Sequence, residues 1–253
     1  MEKETASGAR LRVLNRDVIK YIAMFTMLLN HTACTFLTPG TPLYEIFEDI
    51  GFFTAPLMCF FLVEGYDYTR SKVKYGQRLL LFAVISQIPY TLAFHFGNLN
   101  MLYTLFCCFL ILVVLDKVQN PMVRPALCLL LVYVTAVGDW GVLAAVYTIL
   151  FYHSRSDRKR TACSFGIAYV LFTMLNLLSR TFTAGSLTFR EVIHALPAGT
   201  GIIAAGVAVL VFYNGKRAER GRNFAKWFFY IFYPAHLLIL YLIKMYLGSM
   251  GVD

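Results

Sequence analysis

The residues most able to do chemistry in this chain are a histidine and its neighbours in an apolar stretch near the N-terminus. His31 directly follows Asn30, and Lys20 stands eleven residues earlier. At 1.5 Å per residue, a helix places His31 about 16 Å from Lys20 along its axis. An ionisable side chain inside an apolar span costs about 3 kcal/mol or more, so it calls for a function or a polar partner. His31 is therefore a candidate functional residue, and the alternative is a histidine that hydrogen-bonds to a neighbouring helix as a packing residue.

A second intramembrane histidine is predicted near the C-terminus, in the segment Tyr233-Pro234-Ala235-His236. His236 lies ten residues beyond Lys226, or about 15 Å along a helix, so its predicted depth matches that of His31. Pro234 removes one helical hydrogen bond and frees a carbonyl one turn earlier. The alternative role for His236 is therefore to cap that carbonyl.

Three further polar residues lie at the ends of apolar stretches. Glu64 closes the second stretch, where it can pair with Arg70 or Arg78 in the following basic segment. Asp139 falls in Gly138-Asp139-Trp140-Gly141, a pattern typical of an Asx turn or a helix N-cap. Asn100 precedes an apolar run and can cap it in the same way.

The composition indicates a polytopic membrane protein. Of the 253 residues, 58% are hydrophobic and 15% are charged, whereas soluble domains have roughly 45–50% and about 25%. The net charge of +9 does not indicate nucleic-acid binding, because the basic residues form short clusters between apolar runs. The cysteines show no metal-binding spacing, and we expect no metal.

Nine apolar segments are predicted to form transmembrane helices in a single all-α bundle. They cover 18–37, 46–65, 77–96, 101–115, 124–138, 139–152, 161–178, 191–213 and 226–247. Residues 1–17 form a basic cytoplasmic leader, and residues 18–247 form the bundle of this one transmembrane domain. The fifth and sixth segments are separated only around Gly138 to Trp140, which leaves a tight hairpin or a broken helix as alternatives.

The charges in the loops predict the orientation of the chain. If the N-terminus is cytoplasmic, the inner segments hold 20 of the 23 basic residues. Such a bias follows the positive-inside rule, and an odd number of spans then puts the C-terminus outside. We therefore expect a multi-pass protein of the cytoplasmic membrane that contacts membrane lipids.

A series of segments in chain order resembles the TraX family of bacterial membrane proteins. The segments are Lys20 to His31, Pro56 to Tyr66, Thr69-Arg70, Lys74 to Leu79, Ser86 to Tyr90, Leu99 to Leu105, Gly138 to Gly141 and Phe228 to Leu237. The resemblance extends from about residue 16 to residue 240. Asn30 stands where the family usually has Asp.

This resemblance implies an acyltransferase, because the named activity of the TraX family is N-terminal acetylation of pilin. The family is also distantly similar to transmembrane acyltransferases that carry a basic residue, ten intervening residues and a histidine in an early span. The spacing of Lys20 and His31 is the same, with Lys where Arg is common. The implied acyl donor is cytosolic acetyl-CoA, and the acceptor is a peptide, a sugar or a lipid.

Roles for individual residues follow from the same implication. A basic cradle for the phosphates of coenzyme A can come from Arg16, Lys20, Arg70, Lys74 and Arg78. His31 acts as general base or carries the acyl group, and His236 orients it or relays protons. The candidate donors to the developing oxyanion are Asn30, Asn100, Tyr103 and Tyr233.

Two other classes of function remain open at the level of sequence. A proton-coupled transporter or flippase would use His31, His236 and Glu64 as its ionisable groups. A membrane scaffold without catalytic activity would need the two histidines only for stability.

Overall fold

The fold is helical throughout the part of the chain that the computed structural model describes, which is residues 11–94, 97–186 and 188–250. The helices are α1 (Arg16–Phe36), α2 (Pro42–Gly51), α3 (Thr54–Tyr68), α4 (Lys72–Phe94), α5 (Met101–Lys117), α6 (Val123–Thr135), α7 (Gly141–Ser154), α8 (Arg158–Ala184), α9 (Phe189–Ala198), α10 (Thr200–Val207) and α11 (Arg222–Ser249). A π-helical turn over Ala208–Phe212 continues α10. The predicted all-α class is confirmed. Of the predicted leader 1–17, residues 1–10 lie outside the described residues.

Seven of the nine predicted segments each correspond to one helix, and the other two are divided. The second predicted segment contains the end of α2 and most of α3, because the chain turns at Phe52 and Phe53. The hydroxyl of Thr54 then begins α3 by donating to the carbonyl oxygen of Ala23 in α1, at 2.8 Å. The eighth segment contains most of α9 and all of α10 with its π-helical turn. Pro197, one residue before the end of α9, has no amide hydrogen with which to extend the helix.

Five stretches are long and apolar enough to cross a membrane, judged by length and composition within the described residues. They are Pro42–Tyr68, Lys72–Phe94, Arg158–Thr183, Ala195–Phe212 and Arg222–Ser249. The helices α6 and α7 are apolar but shorter. The 21-residue α1 is long enough, but its polar residues keep it out of this set. The nine-span count therefore stays a prediction, while a helical protein with membrane-span-like helices is established.

Contacts divide the chain into two compact units, and each unit is built from two separate stretches. The first, here called the His31 unit, comprises Met1–Leu57 and Phe165–Ile231; the second, the His236 unit, comprises Met58–Ser164 and Phe232–Asp253. In the His31 unit, α1 packs along α2, and α2 contacts α9 and α10. In the His236 unit, α5 is central and packs against α4, α6 and α7.

Burial in the His236 unit follows this arrangement. Ile111 and Leu112 of α5 are completely buried, whereas Ile88 of α4 and Leu129 of α6 are 70% exposed. Large apolar side chains that point away from a packed core are unfavourable in water and favourable against lipid tails.

The connection between α6 and α7 is a tight hairpin, which is one of the two alternatives that the sequence left open. Trp140, the residue before α7, adopts a left-handed backbone conformation (φ 58°).

Candidate functional site

The best-defined polar cluster of the His236 unit surrounds Asn100, which is fully buried at the start of α5. Its Oδ1 accepts the backbone N–H groups of Leu102 and Tyr103, which confirms the predicted N-cap. Its Nδ2 donates to the carbonyl oxygen of Ala83 at 2.7 Å and to Oε1 of Gln87 at 2.8 Å. Both donors and both acceptor positions of the amide are therefore occupied.

These bonds bear on the predicted roles in oxyanion binding. Asn100 can donate to an oxyanion only if it releases one of its two partners. The Tyr103 hydroxyl likewise donates to the carbonyl oxygen of Val134 at 3.2 Å. The oxygen of Tyr233 accepts the backbone N–H of Met101 at 3.3 Å, a bond that does not use the tyrosine's own proton. In this bond Tyr233 is the acceptor, whereas the side chains of Asn100 and Tyr103 act as donors in theirs.

Asp139 lies in the α6–α7 connection, which is fixed against the start of α5. Its backbone N–H donates to the carbonyl oxygen of Leu99 at 2.7 Å, and its own carbonyl oxygen accepts the hydroxyl of Thr104 at 2.7 Å. A side chain on Gly138 would overlap Thr104, so this close approach requires glycine. These bonds fix the position of Asp139, a half-buried residue, against the start of α5.

His236 is 4% exposed, and the hydrogen bond of one ring nitrogen sets its tautomer. Nδ1 lies 2.8 Å from the carbonyl oxygen of Phe232, one turn earlier in α11. Because a carbonyl oxygen only accepts, Nδ1 must carry the hydrogen, and in the neutral ring Nε2 is then the acceptor. The partner is the carbonyl of Phe232, whereas the carbonyl that Pro234 frees belongs to Tyr230. The hydrogen bond of Nδ1 is therefore not the predicted cap of the proline-freed carbonyl.

The ring of His236 is held in place by aromatic side chains. It stacks on Phe232, with centroids 4.9 Å apart and an interplanar angle of 15°, and it meets the ring of Tyr233 edge-on at 5.7 Å. A histidine with one fixed donor, one acceptor and a rigid ring has the geometry of a general base.

His31 is buried in its own unit, with 8% of its surface exposed, and so it does not face lipid. Asn30 beside it is half-buried and donates from Nδ2 to the carbonyl oxygen of Glu48 in α2, at 3.2 Å. Gly51 makes this contact possible, because a Cβ atom at Gly51 would overlap the Asn30 side chain. The packing of α2 on α1 therefore determines the position of the Asn30-His31 pair.

A set of charged residues that sequence reasoning missed lies on α2. Glu45 pairs with Arg180 of α8 at 3.2 Å, and the hydroxyl of Tyr44 donates to Oε1 of Glu48 at 3.1 Å. The sequence feature that could have revealed this set is the presence of two carboxylates, Glu48 and Asp49, inside the second predicted span.

Two residues of α4, Gln87 and Tyr90, were also missed by sequence reasoning. They reach Asn98 at 3.3 and 3.4 Å, and both belong to the Ser86 to Tyr90 segment that carried the family resemblance.

The five predicted phosphate-binding residues are divided between the two units. Arg16 and Lys20 belong to the His31 unit, where Arg16 is 9% exposed and Nζ of Lys20 lies 5.2 Å from the Phe229 ring centroid. Arg70, Lys74 and Arg78 belong to the His236 unit. Arg70 and Lys74 are exposed there, and the guanidinium carbon of Arg78 lies 5.8 Å from the Tyr75 ring centroid.

One end of the His236 unit is stabilised by a clamp around Asp116. Lys72 pairs with its carboxylate at 2.9 Å, and the hydroxyl of Tyr66 donates to the same oxygen at 3.0 Å. The hydrogen bond from Lys72 lowers the pKa of Asp116 below its usual value. The clamp joins α3, α4 and α5 and so fixes the connection that carries Arg70. Glu64, in the last two turns of α3, is half-buried.

Comparisons with known proteins give a consistent result. Residues 15–244 match a family model described as "TraX protein". A relative described as "Probable fimbrial assembly protein FimC, serogroup H1", from Dichelobacter nodosus, is 34% identical over 242 residues, which cover 90% of this chain and 95% of the relative. No solved structure matches the chain. Every candidate site residue predicted from the sequence lies within the matched range.

Proposed function

This chain belongs to the TraX family, and from that premise we propose that it is an integral-membrane acyltransferase. It moves an acetyl group from cytosolic acetyl-CoA to an amine or hydroxyl acceptor. The observation that carries the proposal is the burial of His31 within protein, eleven residues along the same helix from Lys20. A distance of about 16 Å along that helix is on the scale of the pantetheine arm of coenzyme A.

The proposed reaction transfers one acyl group and moves one proton. His31 accepts the proton of the acceptor amine or hydroxyl as that group attacks the thioester carbonyl carbon. A new C–N or C–O bond forms, the C–S bond breaks, and the thiolate of coenzyme A leaves with the electron pair and takes up the proton. General-base catalysis of this kind contributes about 10²–10⁴-fold. In the alternative route His31 is the nucleophile and holds the acetyl group before the acceptor attacks.

For His236, described within its own unit, we propose a role in proton transfer. The donor position of His236 is occupied by the Phe232 carbonyl, so Nε2 remains as the acceptor. Asn30 is assigned to orient the substrate or donate to the oxyanion, because Glu48 occupies only one of its two amide hydrogens in the described contacts.

We propose a fimbrial or pilin-like N-terminal amine as the first acceptor to test. The name of the Dichelobacter nodosus relative refers to fimbrial assembly, and the family resemblance implies pilin acetylation. The proposal includes nine spans in the cytoplasmic membrane of a bacterium, with the N-terminus inside. That orientation places Lys20 at the cytosolic face, where acetyl-CoA is available.

The test uses the purified chain in zwitterionic-lipid nanodiscs with acetyl-CoA and a peptide that has a free N-terminal amine. Acetylated peptide and free coenzyme A are measured together by mass spectrometry, and the two must form in equal amounts. We expect His31→Ala to lower the rate at least 100-fold, on the order of a lost general base, while helical content and thermal stability are kept.

The matched control is His153→Ala. His153 is exposed, and its Nδ1 contacts the carbonyl oxygen one turn earlier, as that of His236 does. Its replacement leaves the rate unchanged. Normal turnover by His31→Ala would disprove the catalytic role of that residue. Substrate flux in liposomes without any acyl donor, in a protein that forms no acetylated product, would favour a transporter instead.

A further inference from the structure

The connection between α10 and α11 and the start of α11 form a strongly basic surface, here called the 213–227 surface. It carries five basic side chains and one acidic one, in the order Lys216, Arg217, Glu219, Arg220, Arg222 and Lys226. Among the described residues, none of these five cations lies within ion-pair distance of a carboxylate. The surface therefore holds positive charge that no ion pair among the described residues neutralises.

This segment is attached to the foot of α1 by its backbone. Leu14 and Tyr213 form a β-bridge, and the N–H of Arg16 donates to the carbonyl oxygen of Lys216 at 2.9 Å. The buried carboxylate of Asp17 accepts the N–H of Ala218 at 2.9 Å. The basic loop therefore has a fixed position at the base of the helix that carries His31.

Two aromatic side chains of this surface are exposed beside the cations. Phe224 is 69% exposed and Trp227 is 46% exposed, and a spacing of three residues puts them on the same side of α11. The ring of Phe224 stacks on Phe228, with centroids 5.8 Å apart at an angle of 29°. Nζ of Lys226 lies 4.9 Å from the Trp227 ring centroid. An aromatic face next to several cations is the arrangement that binds a base together with its phosphates.

The positive-inside rule alone accounts for basic residues in this segment, but it does not account for their lack of ion pairs within the described part of the chain. In the His236 unit, four basic residues of the predicted inner side pair with carboxylates: Lys72 and Lys117 with Asp116, Arg155 with Asp67, and Arg160 with Asp157. Both sets satisfy the same topological rule. The 213–227 surface differs from these four residues in that, within the described part of the chain, no carboxylate pairs with its cations, while two exposed aromatic rings lie beside them. A polyanionic ligand with an aromatic base requires both features.

We propose that the 213–227 surface binds the nucleotide end of the acyl donor, the adenosine 3′-phosphate 5′-diphosphate of coenzyme A. The adenine ring lies against Phe224 and Trp227, and the phosphates lie on Arg217, Arg220 and the neighbouring cations. This inference rests on the proposed function for its choice of nucleotide. The phosphate ester of an anionic lipid headgroup offers similar charge, and the experiment separates the two sources.

The test measures nucleotide binding directly. Trp140 and Trp227 are the two tryptophans of the chain, so Trp140→Phe leaves Trp227 as the single tryptophan fluorophore. This variant is placed in phosphatidylcholine nanodiscs and titrated with adenosine 3′,5′-bisphosphate. We expect saturable quenching of Trp227 and, for the double variant Arg217→Gln with Arg220→Gln, a Kd that is at least about tenfold higher.

The control removes the same charge elsewhere on the predicted inner side. The double variant Lys159→Gln with Arg160→Gln changes two exposed residues of the His236 unit, and we expect its Kd to stay within about twofold of the parent. Absence of saturable quenching would overturn the inference, and so would an equal loss in both double variants. Quenching by phosphatidylglycerol in the nanodisc, but not by the bisphosphate, would assign the surface to lipid headgroups and reject the nucleotide.

Failure of this inference can be told from failure of the proposed function. If acetyl transfer from acetyl-CoA persists but the bisphosphate does not bind this surface, only the location of the nucleotide site is wrong. If the bisphosphate binds and no acceptor is acetylated, the surface is correct and the chemistry is wrong. If both hold, the Arg217/Arg220 double variant should raise KM for acetyl-CoA and leave KM for acetyl-pantetheine, which lacks the nucleotide, unchanged.

Discussion

The two nitrogens of the His236 ring have different tasks, and this difference makes its role testable at the scale of one residue. Nδ1 donates to the Phe232 carbonyl, which holds the ring, and in the neutral ring Nε2 is the nitrogen that can accept a proton. An asparagine side chain places an N–H close to the position of Nδ1 and nothing at the position of Nε2. The substitution therefore separates the structural contribution of the ring from its chemical contribution.

We expect His236→Asn to lower the acetyl-transfer rate at least about 100-fold, as the loss of a proton-transfer group does. Because the bond to Phe232 is kept, the free energy of unfolding should change by less than about 1.5 kcal/mol. Thermal melts in detergent and the mass-spectrometric assay measure the two effects. His236→Leu, which loses both nitrogens, should lower the rate and the stability together. A fully active His236→Asn protein would show that the histidine only packs.

Asn100 represents the opposite case, since its side chain is fully used in structural bonds. We expect Asn100→Ala to cost about 3 kcal/mol or more of unfolding free energy, because it removes a helix cap and leaves buried groups unbonded. Asn120 is the matched control. Its Oδ1 accepts two backbone N–H groups in the same way at the start of α6, but it is exposed. Asn120→Ala should cost about 1 kcal/mol, and equal losses in chemical denaturation would contradict the argument.

At the scale of helices, the contact between α1 and α2 determines where Asn30 and His31 lie. Gly51 leaves the space that the Asn30 side chain occupies. We expect Gly51→Ala to separate the two helices, to cost about 1–3 kcal/mol through overpacking, and to lower activity by displacing His31. Gly166 of α8 is the control, because a methyl group there meets open space. Gly166→Ala should be neutral or stabilise the protein by about 0.5–1 kcal/mol. Thermal melts that rank the two variants in the opposite order would contradict this account.

The helices were predictable from the sequence because their cause is local, whereas the site depended on contacts that are distant in sequence. Hydropathy located seven of the described helices as one segment each and the other four as two undivided segments. Asn100 was predicted as a cap because an apolar run follows it directly. Gln87 was not predicted, because its partner Asn100 lies thirteen residues away across a turn. The division of the second segment depends on the contact of Thr54 with Ala23, which hydropathy does not report.

At the scale of the whole molecule, the topology decides whether acetyl-CoA and the basic residues meet on the same side of the membrane. Nine spans with a cytoplasmic N-terminus put the 213–227 surface and the 155–160 loop inside and the C-terminus outside. We expect alkaline phosphatase fused after Met250 or at Ser186 to be active, and the same enzyme fused at Gln119 or Asp157 to be inactive. Green fluorescent protein at the same four positions should show the reverse pattern, which controls for expression.

An inactive phosphatase at Met250 with the other three results unchanged would mean an even number of spans. The 213–227 surface would then lie either outside, away from cytosolic nucleotide, or inside with α11 failing to cross, and a fusion at Gly221 distinguishes these outcomes.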